Sequence, residues 1–177
     1  MAARFNRRPP DTGEPESEWI ENVIKIYRCS KVMKGGRRFS FAALVVVGDG
    51  KGKVGIGYGK ANEVPSSVEK AMKDARKSMI PVAILDGTIP YEVVGRFGSA
   101  RVILAPAGPG TGIIAGGPVR SVLEASGIQN ILTKCHCTTN PKNIAKAVMN
   151  GLQQLRDPKA VAELRGCEID WAPAGSG

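Results

Sequence analysis

At 177 residues with 42% hydrophobic content, the chain can bury one core or two small ones, which excludes a fibrous or wholly disordered class. Its 25 Lys and Arg against 16 Asp and Glu give a formal net charge of +9. No apolar run approaches the roughly 18 residues of a membrane span, and the N-terminus lacks the apolar segment of a secretory signal, so a basic cytoplasmic protein with no membrane partner is expected.

Residues 1–17 read as a polar, Pro-bearing flexible arm, and ordered structure is expected from Trp19. Three extended runs follow, at Ile20 to Met33, Phe39 to Val47 and Lys53 to Tyr58. The turns between them are built on Gly35-Gly36 and on Gly48-Asp49-Gly50-Lys51-Gly52, residues that tolerate positive φ. From Pro65 onward Val68, Ala71, Met72, Ala75 and Met79 recur at helical spacing. The expected N-terminal domain, residues 18–80, is therefore a three-stranded antiparallel sheet with one amphipathic helix. From Pro81 the pattern restarts, with extended runs at Val82 to Leu85, Tyr91 to Phe97 and Ala100 to Ala105, then a Gly/Pro-rich loop to Gly117. Pro118 opens a helix that Gly127 closes, Ile131 to Cys137 reads as a strand, and Asn140-Pro141 starts a last helix with Ile144, Val148, Leu152 and Leu155 inward. The fold class is α+β in two domains, the second an α/β sandwich of order β-β-β-α-β-α over residues 81–166, with a tail at 167–177.

Charge is unevenly placed along this framework. Between Asn22 and Ile80 there are 13 Lys and Arg against 4 Asp and Glu, whereas from Pro81 onward there are 9 against 7. Cations on Gly-rich turns suit an approach to phosphate, because glycine lets the backbone come close and Lys or Arg beside it neutralises the polyanion. Arg28, Ser30, Lys31, Lys34, Gly35, Gly36, Arg37, Arg38, Lys51, Lys53 and Lys60 are the candidate RNA-binding residues, and the more neutral half is expected to pack on protein.

Enzyme motifs fare poorly. The Gly-Lys pairs at Gly50, Gly52 and Gly59 have Val where a P-loop needs its first glycine. Gly50 to Gly55 matches a dinucleotide fingerprint by letters but joins two strands and opens no helix. Gly110-Thr111-Gly112-Ile113-Ile114-Ala115 is better placed, yet Leu132, Thr133 and Lys134 stand where an acidic residue belongs. His136 is the only histidine, and no carboxylates share a catalytic pattern. Cys135 and Cys137 would share one strand face with His136 on the other, and no cysteine pair has structural-zinc spacing, so the four cysteines read as buried, reduced thiols. No metal, cofactor or catalytic residue is expected.

Ser30 to Phe41, then Val47 to Gly50, Val54 to Ala61 and Glu63-Val64-Pro65, run in the order of a known family, and Gly110 to Gly117, Arg120 and Thr139-Asn140-Pro141 continue the match. Over about Glu18 to Gly166 the chain resembles the bacterial-type ribosomal protein S5 family of the small subunit. The resemblance implies a double-stranded-RNA-binding-like N-terminal domain and a C-terminal domain of a type shared with small-molecule kinases. It implies a role in subunit assembly and translational accuracy. By the same likeness, the hairpin at Ser30 to Arg38 reaches small-subunit ribosomal RNA near the head and neck, beside the spectinomycin site, with Lys31, Lys34, Arg37 and Arg38 on phosphate. Thr111, Gly112 and Arg120 would face ribosomal protein S4, the C-terminal domain would touch ribosomal protein S8, and the basic face would line the messenger RNA entry channel. A cytoplasmic ribosome is expected, with an organellar one left open. The alternatives are a free-standing duplex-RNA binder and a small-molecule kinase. The usual duplex-binding domain begins with a helix, whereas Glu14 to Trp19 offers at most a turn.

Overall fold

The computed structural model describes residues 19–166; the arm expected over 1–17, the tail over 167–177 and Cys167 lie outside the described residues. Strands β1 (Ile20–Met33), β2 (Gly36–Gly48) and β3 (Lys53–Ala61) form an antiparallel sheet, followed by helix α1 (Val64–Lys77). A fourth strand, β4 (Ile80–Pro81), pairs with the start of β3 through Lys53 and Val54, so the first sheet has four strands where the sequence suggested three. The extended run expected at Val82 to Leu85 belongs to neither sheet and makes only a bridge between Leu85 and Thr88. Val82 instead donates its N–H to the Gly52 carbonyl at 2.7 Å and buries its side chain, which ties the connector to the end of the first sheet.

The alternation Gly55, Gly57, Gly59 in β3 is the packing device of this domain. A Cβ at each would collide with the backbone of α1, at Ala75, Ala71 and Ser67 respectively. The small Ala71, Ala75 and Ser67 on the helix are fully buried, and with the glycines they let helix and strand approach without intervening side chains. Ala43, Val45 and Val47 of β2 complete that small core. The intervening β3 residues, Val54, Ile56, Tyr58 and Lys60, project from the opposite face because side chains alternate along a strand.

The C-terminal domain comprises β5 (Val93–Phe97), β6 (Ala100–Pro106), β7 (Ile113–Ile114), α2 (Gly117–Ser126), β8 (Ile131–His136), α3 (Pro141–Gln154) and α4 (Pro158–Arg165). Its sheet runs β5-β6-β8-β7, with only the β7–β8 pair parallel. The third strand of the β-β-β-α-β-α order is thus β7, inside the segment that reads as a loop, rather than Val82 to Leu85. Two residues are too few to show an alternating pattern, and β7 is fixed by pairing with Ile131 and Leu132. Helix α4 follows the helix expected to be last. Ile144, Val148, Leu152 and Leu155 are buried, as their spacing predicts.

Helix α2 joins the two domains. Val119, Val122, Leu123 and Ala125 share one core with Val46 and Val54 of the first sheet, which is therefore covered by α1 on one face and partly by α2 on the other. At the seam the N–H groups of Gly50 and Gly52 donate to the Ala125 and Ser126 carbonyls, each at 3.0 Å. Gly127 ends α2 at φ 89°, and a Cβ there would strike the Gly50 carbonyl. The glycines of the 48–52 turn thus bring two backbones together.

Candidate nucleic-acid interface

Strand β3 stops pairing where Ala61 meets Phe41, but β1 and β2 continue together from Cys29↔Ser40 to Met33↔Gly36. The result is a two-stranded ribbon projecting past the three-strand sheet, with residues 29–39 exposed throughout. Its loop is Lys34-Gly35, and Gly35 takes φ 91°, a region closed to most side-chain-bearing residues. The register places Arg28, Ser30, Val32, Arg37 and Phe39 on one face and Cys29, Lys31, Met33 and Arg38 on the other. No acid stands between Glu21 and Asp49, so the charge of Arg28, Lys31, Lys34, Arg37 and Arg38 is uncompensated within the ribbon.

Apolar groups are interleaved with those cations. Val32 is 74% exposed and Phe39 49% exposed, and the Arg28 guanidinium lies 4.8 Å from the Phe39 ring centroid. Such a ring offers a stacking surface and the guanidinium a bidentate donor for phosphate. An isolated ribbon is marginal in water, and this one is anchored only by the sheet it extends.

Arg28, Ser30, Lys31, Lys34, Gly35, Gly36, Arg37 and Arg38 are therefore brought together. Lys51 and Lys53 are exposed but stand at the far end of β2, whose 13 residues at about 3.3 Å each put them about 40 Å from the ribbon tip. Their turn is organised by Asp49, whose carboxylate accepts from the Lys51 and Lys53 N–H groups at 2.8 Å. Lys60 lies between these extremes, paired across from Ala42. Thr111, Gly112 and Arg120 cluster at the start of α2: the Gly112 N–H donates to Asn130 Oδ1 at 3.0 Å, and Arg120 Nη2 donates to the Ile113 carbonyl at 3.1 Å.

The cysteine reading needs correction. Cys29 and Cys137 are exposed, the first because the ribbon carries it away from the core, the second because β8 ends before it and Cys137 turns to φ 74°. Among the described cysteines only Cys135 is half-buried, and desolvation pushes its thiol above the ordinary range. Among the described residues no three His, Cys, Asp or Glu gather as a metal site, and no helix is long and apolar enough to cross a membrane.

Sequence reasoning missed a second group. Tyr27 and Tyr58 face the same side of the first sheet, and Lys142 of α3 sits 4.0 Å from the Tyr58 ring centroid. The signal available was the alternation in β3, where Ile56, Tyr58 and Lys60 interleave with the helix-facing glycines.

A charged, partly apolar ribbon held out from a two-domain α+β body is a surface of the kind that a structural protein presents to a polyanion. The family model "Ribosomal protein S5, N-terminal domain" matches residues 19–83, and "Ribosomal protein S5, C-terminal domain" matches residues 95–165. A protein named small ribosomal subunit protein uS5 from Syntrophobacter fumaroxidans is 56% identical over 150 residues, spanning 85% of this chain and 90% of the relative. One of the same name from Rhodopirellula baltica is 57% identical over 155 residues, 88% of each chain, and one from Thermotoga neapolitana is 54% identical over 153 residues, 86% of each. The chain belongs to the ribosomal protein S5 family, in its bacterial type. It is a ribosomal, non-enzymatic protein, which sets the kinase alternative aside.

Proposed function

We propose that this chain is a structural constituent of the small ribosomal subunit that grips ribosomal RNA chiefly through the Arg28 to Arg38 ribbon, and so supports subunit assembly and translational accuracy. The observation that carries the reading is the ribbon itself: acid-free, exposed on both faces and unused by either core. Lys31, Lys34, Arg37 and Arg38 neutralise phosphate, while Phe39 and Val32 give the contact an apolar component that phosphate alone does not require. The ribosome in question is cytoplasmic.

The finer assignments follow from the same reading. The units at 18–80 and 81–166 act as RNA-gripping and protein-facing halves, with Thr111, Gly112 and Arg120 turned toward ribosomal protein S4, another part of the second domain toward S8, and Lys51, Lys53 and Lys60 adding to a basic face beside messenger RNA at the entry channel. A free-standing duplex binder is less well supported. The second domain shares a core with the first, which a generic binder does not need.

The test is quantitative binding to folded small-subunit ribosomal RNA carrying its early-assembling proteins, against an unrelated duplex, across a salt series. A preference of at least about 1,000-fold for the ribosomal particle is expected, on the scale that separates specific from non-specific nucleic-acid binding. Equal affinity for both would favour the duplex binder.

A further inference from the structure

We propose that the uncovered margin of the α2-side face of the first sheet, at Lys25, Tyr27, Tyr58 and Lys60 where it meets the start of α3, is a second phosphate-binding surface that holds a single RNA strand across the two domains. The pairing lays out its floor in rows: Tyr27, Ala42 and Lys60 in one, Lys25, Leu44 and Tyr58 in the next. Lys142, the second residue of α3, closes it from the second domain at 4.0 Å from the Tyr58 ring centroid, while Lys60 lies 5.7 Å from the same ring and Lys25 5.4 Å from that of Tyr27. Lys146, four residues on from Lys142 and so on the same side of α3, lies 4.8 Å from the Phe97 ring.

Two features point outward to a ligand. The Tyr27 hydroxyl is buried and has no hydrogen-bond partner, although a buried phenol ordinarily finds one. Burial, and secondarily the neighbouring Tyr58, raise its pKa, so it stays a donor. The second feature is charge: no acid occurs in β2, in β3, in α3 or in β1 beyond Glu21, and Glu21 is paired with Arg76 of α1, at 3.0 Å. The orphaned hydroxyl and the uncompensated ammonium groups, gathered from both domains, suit an anion from outside, and a phosphodiester oxygen accepts from hydroxyl and ammonium alike.

An extended polyanion fits better than a small one. Lys31 and Arg38 lie on the same face as Tyr27, so cations recur along this face from the ribbon to Lys142, with the neutral Cys29–Ser40 row between them. An RNA strand on this track would cross from the first domain to the second, so that binding couples the ribbon to the domain seam. Stacking is not the main mode, because lysines already occupy positions over the Tyr27 and Tyr58 rings.

This inference rests on the reading of the chain as an RNA-binding protein, and the test separates the two. Full-length Tyr27→Phe and a Lys60→Ala/Lys142→Ala double variant are compared with wild type and a Lys34→Ala/Arg37→Ala/Arg38→Ala variant, for binding to folded small-subunit ribosomal RNA over a salt series. Removing an orphaned hydroxyl should leave the unfolding midpoint of the free protein unchanged or higher, while weakening RNA binding by about tenfold. The double variant should lower the slope of log K against log salt by about 1.5 units. Wild-type affinity and slope in both cleft variants, with the ribbon variant impaired, would overturn the cleft proposal and leave the ribbon reading standing. Wild-type behaviour in all three would overturn both.

Discussion

Single glycines in this chain have separable roles, and the local surroundings decide which. Gly35 supplies a backbone angle at the ribbon tip; Gly57 supplies absence, since a Cβ there would meet the Ala71 carbonyl and the Ala75 amide of α1. Neither neighbour can move without shifting the helix. Gly57→Ala should therefore cost at least about 3 kcal/mol, at the upper end of what overpacking does, read as a lower midpoint in urea unfolding at unchanged slope. Gly108→Ala is the control, because nothing lies within 4 Å of its added Cβ, and its effect should stay within about 1 kcal/mol, of either sign. The sequence displayed both glycines equally. What it could not display was the partner: alternation marks one face of β3 as empty, but only the fold shows α1 filling it.

At the scale of elements, the long β1–β2 hairpin is half scaffold and half tool. From Ala42 to Gly48, β2 is buried between α1 on one face and the second domain on the other, whereas from Gly36 to Phe39 it is exposed. The division falls near Phe41, where β3 stops pairing. Shortening the ribbon by deleting Lys31 to Arg38 and closing Ser30 to Phe39 with Asn-Gly should leave the unfolding midpoint within about 4 °C of wild type, the shift expected for a change of about 1 kcal/mol, while RNA binding falls sharply. A large loss of stability would mean that the ribbon is part of the folding core. Much of this was legible, since Ile20 to Met33 matches β1 end for end, and the helical stripes of α1 and α3 bury as their spacing predicts. Strands of two residues were not: β4 and β7 carry no period and exist because neighbouring strands offer them hydrogen bonds.

For the whole molecule, the sequence shows the charge asymmetry but not where the charges fall in space. Ribbon cations, the Lys51–Lys53 turn and Lys60 are close in sequence, yet the antiparallel fold sends the turn about 40 Å from the ribbon tip and leaves Lys60 beside Tyr27 and Tyr58. The same chain reversal lets α2 reach the Gly50 and Gly52 amides, which makes two sequence domains share one core. Cations that read as a continuous surface are distributed over two ends of one sheet, and the principal RNA contact is proposed at the ribbon end. The most direct measurement is the salt dependence of binding to folded small-subunit ribosomal RNA for Lys34→Ala/Arg37→Ala/Arg38→Ala beside Lys51→Ala/Lys53→Ala. The ribbon variant should lose about 2 to 3 units of slope, near one for each phosphate contact removed, and the turn variant markedly less. An unchanged slope in the ribbon variant, or an equal loss per charge in the turn variant, would contradict the assignment of the ribbon as the principal RNA contact.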